Sequence, residues 1–118
     1  MKDSLLFAVD FDGTIAKPKY PDIGEELPGA VQTMKDLQAE GHKIIIWTCR
    51  CEPYISPMSK WLSDRGFVPD AVNSNLAFVP AFAFPKILAD VYIDDLSFPP
   101  FTNWADVRKY FLEGVKNG

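Results

Sequence analysis

Cysteine and histidine are scarce in this sequence, with two of the first and one of the second in 118 residues. Cys49 and Cys51 are separated only by Arg50 and make a poor disulfide pair in a reducing compartment. A structural zinc site takes about four nitrogen or sulfur ligands, and the one further candidate is His42. His42 follows Gly41 at the predicted entry to a strand and reads as a surface loop residue. Positive charge is also short: 12 Lys and Arg stand against 16 Asp and Glu, for a net charge of −4. That balance argues against a nucleic-acid or anionic-membrane binder, which needs a cationic face. No apolar run approaches the ~20 residues that span a bilayer. The start, Met1-Lys2-Asp3-Ser4 ahead of a short apolar run, is too brief for a signal peptide. These absences predict a soluble, intracellular protein of the cytoplasm.

What is present is a dense apolar sequence, 47% hydrophobic and 14% aromatic, without repeats or low-complexity tracts. It predicts one folded domain over residues 1–118. A strand is expected over about residues 4–10, then a loop or flap over about 13–27, rich in Gly, Pro and Lys. Pro28-Gly29 opens a helix with Ala30, Val31, Met34 and Leu37 at helical spacing, closed by Gly41. Lys43 to Thr48 (KIIIWT) is a second strand, Pro53 to Arg65 a second helix, and Asp70-Ala71-Val72 a short third strand. Ile87 to Ala89 is expected as a helical turn, Asp90 to Ile93 as a strand, and Trp104 to Val115 as an amphipathic helix. Strands alternating with helices predict βαβ units and a mainly parallel sheet. LLFAV and KIIIW lack polar alternation, as strands covered on both faces do.

Two acidic clusters follow short apolar runs: Asp10-Phe11-Asp12-Gly13-Thr14 after LLFAV, and Asp94-Asp95 after Val91-Tyr92-Ile93. In open α/β sheets ligands bind at the carboxyl ends of the strands. Asp10, Thr48 and Asp94 each end a predicted strand and so share one rim. If the acidic strands are neighbours, four carboxylates converge. At an effective dielectric of ~20, like charges ~4 Å apart repel by roughly 4 kcal/mol. A bound cation or a retained proton must relieve that repulsion, and oxygen ligands favour a hard ion such as Mg²⁺.

The residue types suit phosphoryl transfer. Asp10 and Asp12 can project the same way from an extended chain, one carboxylate attacking phosphorus and the other moving protons. Gly13 gives the turn freedom to bring backbone N–H groups to a phosphate. The Thr48 hydroxyl suits a phosphate oxygen, Arg50 is a second phosphate or substrate contact, and Lys86 can neutralise bound phosphate, with Lys60 an alternative by spacing.

In chain order, VDFDGT, IIIWT, Lys86 and YIDD resemble the four motifs of the haloacid dehalogenase-like (HAD) phosphatase superfamily over roughly residues 5–95. The resemblance implies a Rossmann-like three-layer α/β/α fold with residues 13–27 as the flap. It implies Asp10 as nucleophile and Asp12 as general acid/base, with Thr48 and Lys86 holding the phosphoryl group. Mg²⁺ would bind Asp10, the backbone carbonyl of Asp12, and Asp94 or Asp95 or both. Residues 15–47 and 49–85 leave no room for the cap domain many relatives carry. An open site of that kind suits a macromolecular substrate or completion by a second subunit.

Phe78, Phe82, Phe84, Phe98, Phe101 and Trp104 read chiefly as core, with a homodimer contact or substrate lip as the sharper alternative. The expected activity is Mg²⁺-dependent hydrolysis of a phosphomonoester through an aspartyl-phosphate. Nucleotide, sugar phosphate, phosphoprotein and polynucleotide end all suit that chemistry, the last disfavoured by charge. The alternatives are a phosphate-binding protein without turnover and a receiver-like signalling domain, in which the acidic pair and the lysine come in another order.

Overall fold

A computed structural model describes residues 4–76, 87–97 and 100–113 of the chain. Four apolar residues and a run of three isoleucines behind an exposed Lys43 make its central strands, β1 (Leu6–Val9) and β2 (Lys43–Ile46), and both are buried along nearly their whole length. They pair in parallel, with Phe7 opposite Ile44 and Val9 opposite Ile46. The edges are β3 (Ala71–Val72), parallel to β2, and β4 (Val91–Ile93), parallel to β1. The sheet order is β3-β2-β1-β4. The chain therefore steps outward from β1 to β3, then returns to the far side of β1, which makes the β1/β4 boundary the switch point where such sheets bind ligands.

Helix α1 (Ala30–Ala39) turns Ala30, Val31, Met34 and Leu37 inward, and α2 (Ile55–Asp64) turns Met58 and Leu62 inward. A short α3 (Trp104–Arg108) runs on into a wider π-type turn, Lys109–Glu113, and buries Trp104 and Leu112. All these side chains join one core with Phe7, Val9, Ile44 and Ile46. Each large apolar side chain so buried is worth about 1.5–3 kcal/mol. The opposite sheet face, presenting Leu6, Ala8, Ile45 and Tyr92, packs on Leu76, Ile87 and Ala89. Among the described residues the helices lie on one face, so the α/β fold with a parallel sheet stands, while the second helical layer of the three-layer expectation is not among the described residues.

The predicted elements stand with trimmed ends, and Val115 lies outside the described residues. One expectation fails: residues 87–89 are not helical. Their backbone is satisfied sideways instead, the Leu88 N–H donating to Asn75 Oδ1 (2.7 Å) and the Tyr92 hydroxyl donating to the Ile87 carbonyl (2.7 Å). His42 is half-buried rather than a loose surface residue. Its Nδ1 accepts from the Leu5 N–H (2.9 Å) and its ring meets Phe7 edge-on. Among the described residues no helix is long and apolar enough to cross a membrane.

Candidate active site

The carboxyl ends of β1, β2 and β4 deliver Asp10, Thr48 and Asp94 to one rim. The Asp10 N–H continues the ladder by donating to the Ile93 carbonyl (2.9 Å), which locks the start of the first acidic segment beside the start of the second. One carboxylate oxygen each from Asp10, Asp94 and Asp95 lies within 4.8 Å of the others. Burial, and then the charge of Asp94, push the Asp10 carboxyl up to about 7, with Asp95 adding to the rise. The Thr14 hydroxyl opposes it by donating to Asp10 Oδ2 (3.1 Å). That hydroxyl also accepts from the Asp95 N–H (3.2 Å), so one side chain spans both acidic segments. Thr14 is itself pinned, because the buried Trp104 indole N–H donates to its carbonyl (2.7 Å).

Gly13 is required here by space and by conformation. Its φ is +91°, and a Cβ at this position would stand 2.3 Å from Asp95 Oδ2. The backbone of the first motif therefore reaches within touching distance of the second, as a site built on both motifs needs.

Three carboxylates converge, not four, because Asp12 turns elsewhere. Both its oxygens accept from Arg50, Nε to Oδ2 at 2.8 Å and Nη2 to Oδ1 at 2.7 Å. Arg50 is 2% exposed. Its Nη1 donates to the Pro21 carbonyl (3.0 Å) and its Nη2 to the Asp22 carbonyl (2.7 Å). The residue expected as a phosphate contact is thus turned inward and engaged by the protein itself. Between Asp10 and Asp12, Phe11 points into the core and meets Trp61 edge-on, and it is the Arg50 fork that draws Asp12 away from Asp10.

Thr48 is buried at the rim. Its N–H donates to Asn73 Oδ1 (2.7 Å), and its hydroxyl oxygen accepts from the Arg50 N–H (3.1 Å), which leaves the hydroxyl hydrogen to donate. Asn73, Thr14 and Trp104 are the supporting residues that the sequence reading missed. Asn73 carried a signal, an Asn just past a strand, where it adopts a φ of 52°. The flap closes as a small antiparallel loop, with the Lys17 N–H donating to the Glu25 carbonyl and the Leu27 N–H to the Ile15 carbonyl, both at 2.8 Å. Lys86, Phe78, Phe82, Phe84 and Phe98 lie outside the described residues. Lys60, the alternative to Lys86, pairs with Asp64 on the exposed face of α2. Trp104 is core, and Phe101 packs against it. A cavity of about 310 Å³ beside Asp94 is lined in part by Tyr92, Phe101 and Tyr110. The exposed Cys49 and Cys51 are both free thiols.

The donor set at the rim is all oxygen, of the hardness a Mg²⁺-like cation takes, and Asp10, Asp94 and Asp95 are the residues that could hold one. A solved structure of a conserved protein from Bacteroides thetaiotaomicron matches the chain with a TM-score of 0.86 and 35% sequence identity, over 94% of this chain and 92% of that one. Identity at this level over nearly the whole of both chains places the two in one family. No protein-family model and no curated protein matches the chain.

Proposed function

We propose that this protein is a phosphomonoester hydrolase of the HAD type, acting through an aspartyl-phosphate on Asp10. The observation that carries the reading is the split of the first acidic motif. Asp10 faces Asp94 and Asp95 across the switch point, while Asp12, two positions on, is held apart by Arg50. Two carboxylates placed in opposite environments suit two different tasks. A merely solvated acidic turn has no use for a buried arginine or for a glycine in contact with the opposing acid.

In this reading an Asp10 oxygen attacks phosphorus and the bond from phosphorus to the ester oxygen breaks. Asp12 gives a proton to that departing oxygen. Water then attacks phosphorus as Asp12 takes a proton back, and the bond from phosphorus to Asp10 breaks to release phosphate. The Thr48 hydroxyl donates to a phosphoryl oxygen throughout. A divalent cation held by Asp10, Asp94 and Asp95 would supply positive charge against the developing charge of the phosphoryl group. It would also offset the crowding that raises the Asp10 carboxyl. Lys86 is proposed, on motif order, as the phosphate-neutralising cation.

The test is phosphate release from a panel of phosphomonoesters with Mg²⁺ or with EDTA. Release that requires Mg²⁺ and ranks the substrates is the expected result. Tight phosphate binding without release from any ester would favour the binding-protein alternative.

A further inference from the structure

The proposed chemistry uses Asp10, Asp12 and Thr48 but gives Arg50 no task, although among the described residues Arg50 is a heavily engaged polar side chain at the rim. It is buried at 2% exposure, and four hydrogen bonds leave its guanidinium, two to Asp12 and one each to the carbonyls of Pro21 and Asp22. The guanidinium carbon lies 5.3 Å from the centre of the Phe11 ring and 5.1 Å from that of the Tyr20 ring. Its own backbone N–H fixes the Thr48 hydroxyl oxygen. The partners come from three separate places: the first motif, the tip of the flap and the end of β2. A two-point fork of this kind fixes the plane of a carboxylate as well as its position, which a lysine ammonium cannot do. The flap tip is braced again from outside, where Tyr20, 54% exposed, meets Tyr54 edge-on at the start of α2.

Building on the phosphatase reading, we propose that Arg50 is a positioning residue that aims the Asp12 carboxylate at the leaving oxygen and latches the flap to it. Proton-transfer geometry and flap placement are then set by one side chain. The consequence separates substrates by their leaving groups. An alkyl alkoxide needs a proton as it departs, so its ester depends on a correctly aimed Asp12. A p-nitrophenolate leaves without one, so phosphoryl transfer from its ester to Asp10 does not. The later water step is common to both esters and drops out of kcat/KM. A role limited to holding the fold together would lower both rates alike.

The experiment measures kcat/KM for glycerol phosphate and for p-nitrophenyl phosphate with Mg²⁺, in wild type, Arg50→Lys and Arg50→Gln, beside amide exchange across residues 17–26. In the Arg50 variants, kcat/KM for the alkyl ester is expected to fall about 10²-fold and for the aryl ester less than about threefold, with faster flap exchange. Tyr20→Ala keeps both Arg50 donors to Asp12 while removing a ring packed on the guanidinium and on Tyr54, and it keeps the latch testable should the Arg50 variants fold poorly. It is expected to speed flap exchange without splitting the two esters. Equal losses on both esters, or no loss, would overturn the aiming role. Unchanged flap exchange in Arg50→Lys would overturn the latch. Wild-type protein that releases phosphate from neither ester would strike the phosphatase reading and the aiming role with it, and flap exchange would still decide the latch.

Discussion

Asp10 and Asp12 are two positions apart and have the same side chain, yet they live in opposite electrostatic surroundings. Asp10 sits among acids, half-buried, with its carboxyl raised to about 7 by burial and by Asp94. Asp12 sits against a buried guanidinium that engages both its oxygens. The first environment stores repulsion that a cation can relieve, and the second has its charge already balanced from within. The difference teaches that the motif works as two separate devices joined by the buried Phe11. Substitutions should break one device without the other.

The largest effect is expected at Asp10. Asp10→Asn should reduce turnover by roughly 10⁶-fold, the scale seen when a nucleophile is lost, while raising metal-free stability above neutral pH because a repelling charge is gone. Activity assays beside thermal melts check both halves, and a destabilised Asp10→Asn would contradict the repulsion. Next, Arg50→Ala leaves the half-buried Asp12 carboxylate without its partner. The loss should approach but not reach that of breaking a fully buried pair, about 3–5 kcal/mol. Chemical denaturation measures it, and a loss near that of an exposed ion pair, about 0–1 kcal/mol, would show that the pair is not a buried one. Gly13→Ala forces a Cβ to within 2.3 Å of Asp95 Oδ2 at a φ of +91°. It should lose about 1–3 kcal/mol from backbone conformation, and more from the displaced Asp95. Denaturation together with Mg²⁺ titration would show both losses.

The smallest effect is a pH dependence that should belong to the Asp10 device alone. The Asp10 carboxyl is raised from an ordinary 3.8 to about 7 on folding. Between those values the folded state holds a proton that the unfolded chain has released, so this group's contribution to stability falls as pH rises through that window and is level above it. Mg²⁺ should therefore raise the melting temperature more at about pH 8 than at about pH 5, and Asp10→Asn should flatten the contrast. An equal Mg²⁺ effect at both pH values in wild type would contradict it.

Much of this layout could be read from the sequence. LLFAV and KIIIW announce central strands because fully buried parallel strands have no polar alternation. The placement of Asp10, Thr48 and Asp94 on one rim follows from strand ends in a parallel sheet. What escaped depends on long-range pairing. The Arg50–Asp12 fork joins residues 38 apart in the chain, and the Trp104–Thr14 bond joins residues 90 apart. No local periodicity encodes either, and so Arg50 read as a ligand contact and Asp12 as a fourth member of the cluster. The turn expected at 87–89 failed for a related reason. Side chains from Asn75 and Tyr92 serve that backbone, and three residues cannot close an α-helical hydrogen bond.

The most direct measurement is a rapid acid quench during turnover of a phosphomonoester with Mg²⁺, followed by mass mapping of the phosphorylated peptide. Phosphate carried on Asp10, lost with EDTA and absent from Asp10→Asn, is the expected result. Steady turnover with no phosphorylated peptide, or with the label on any other residue, would contradict the assignment of Asp10 as the nucleophile.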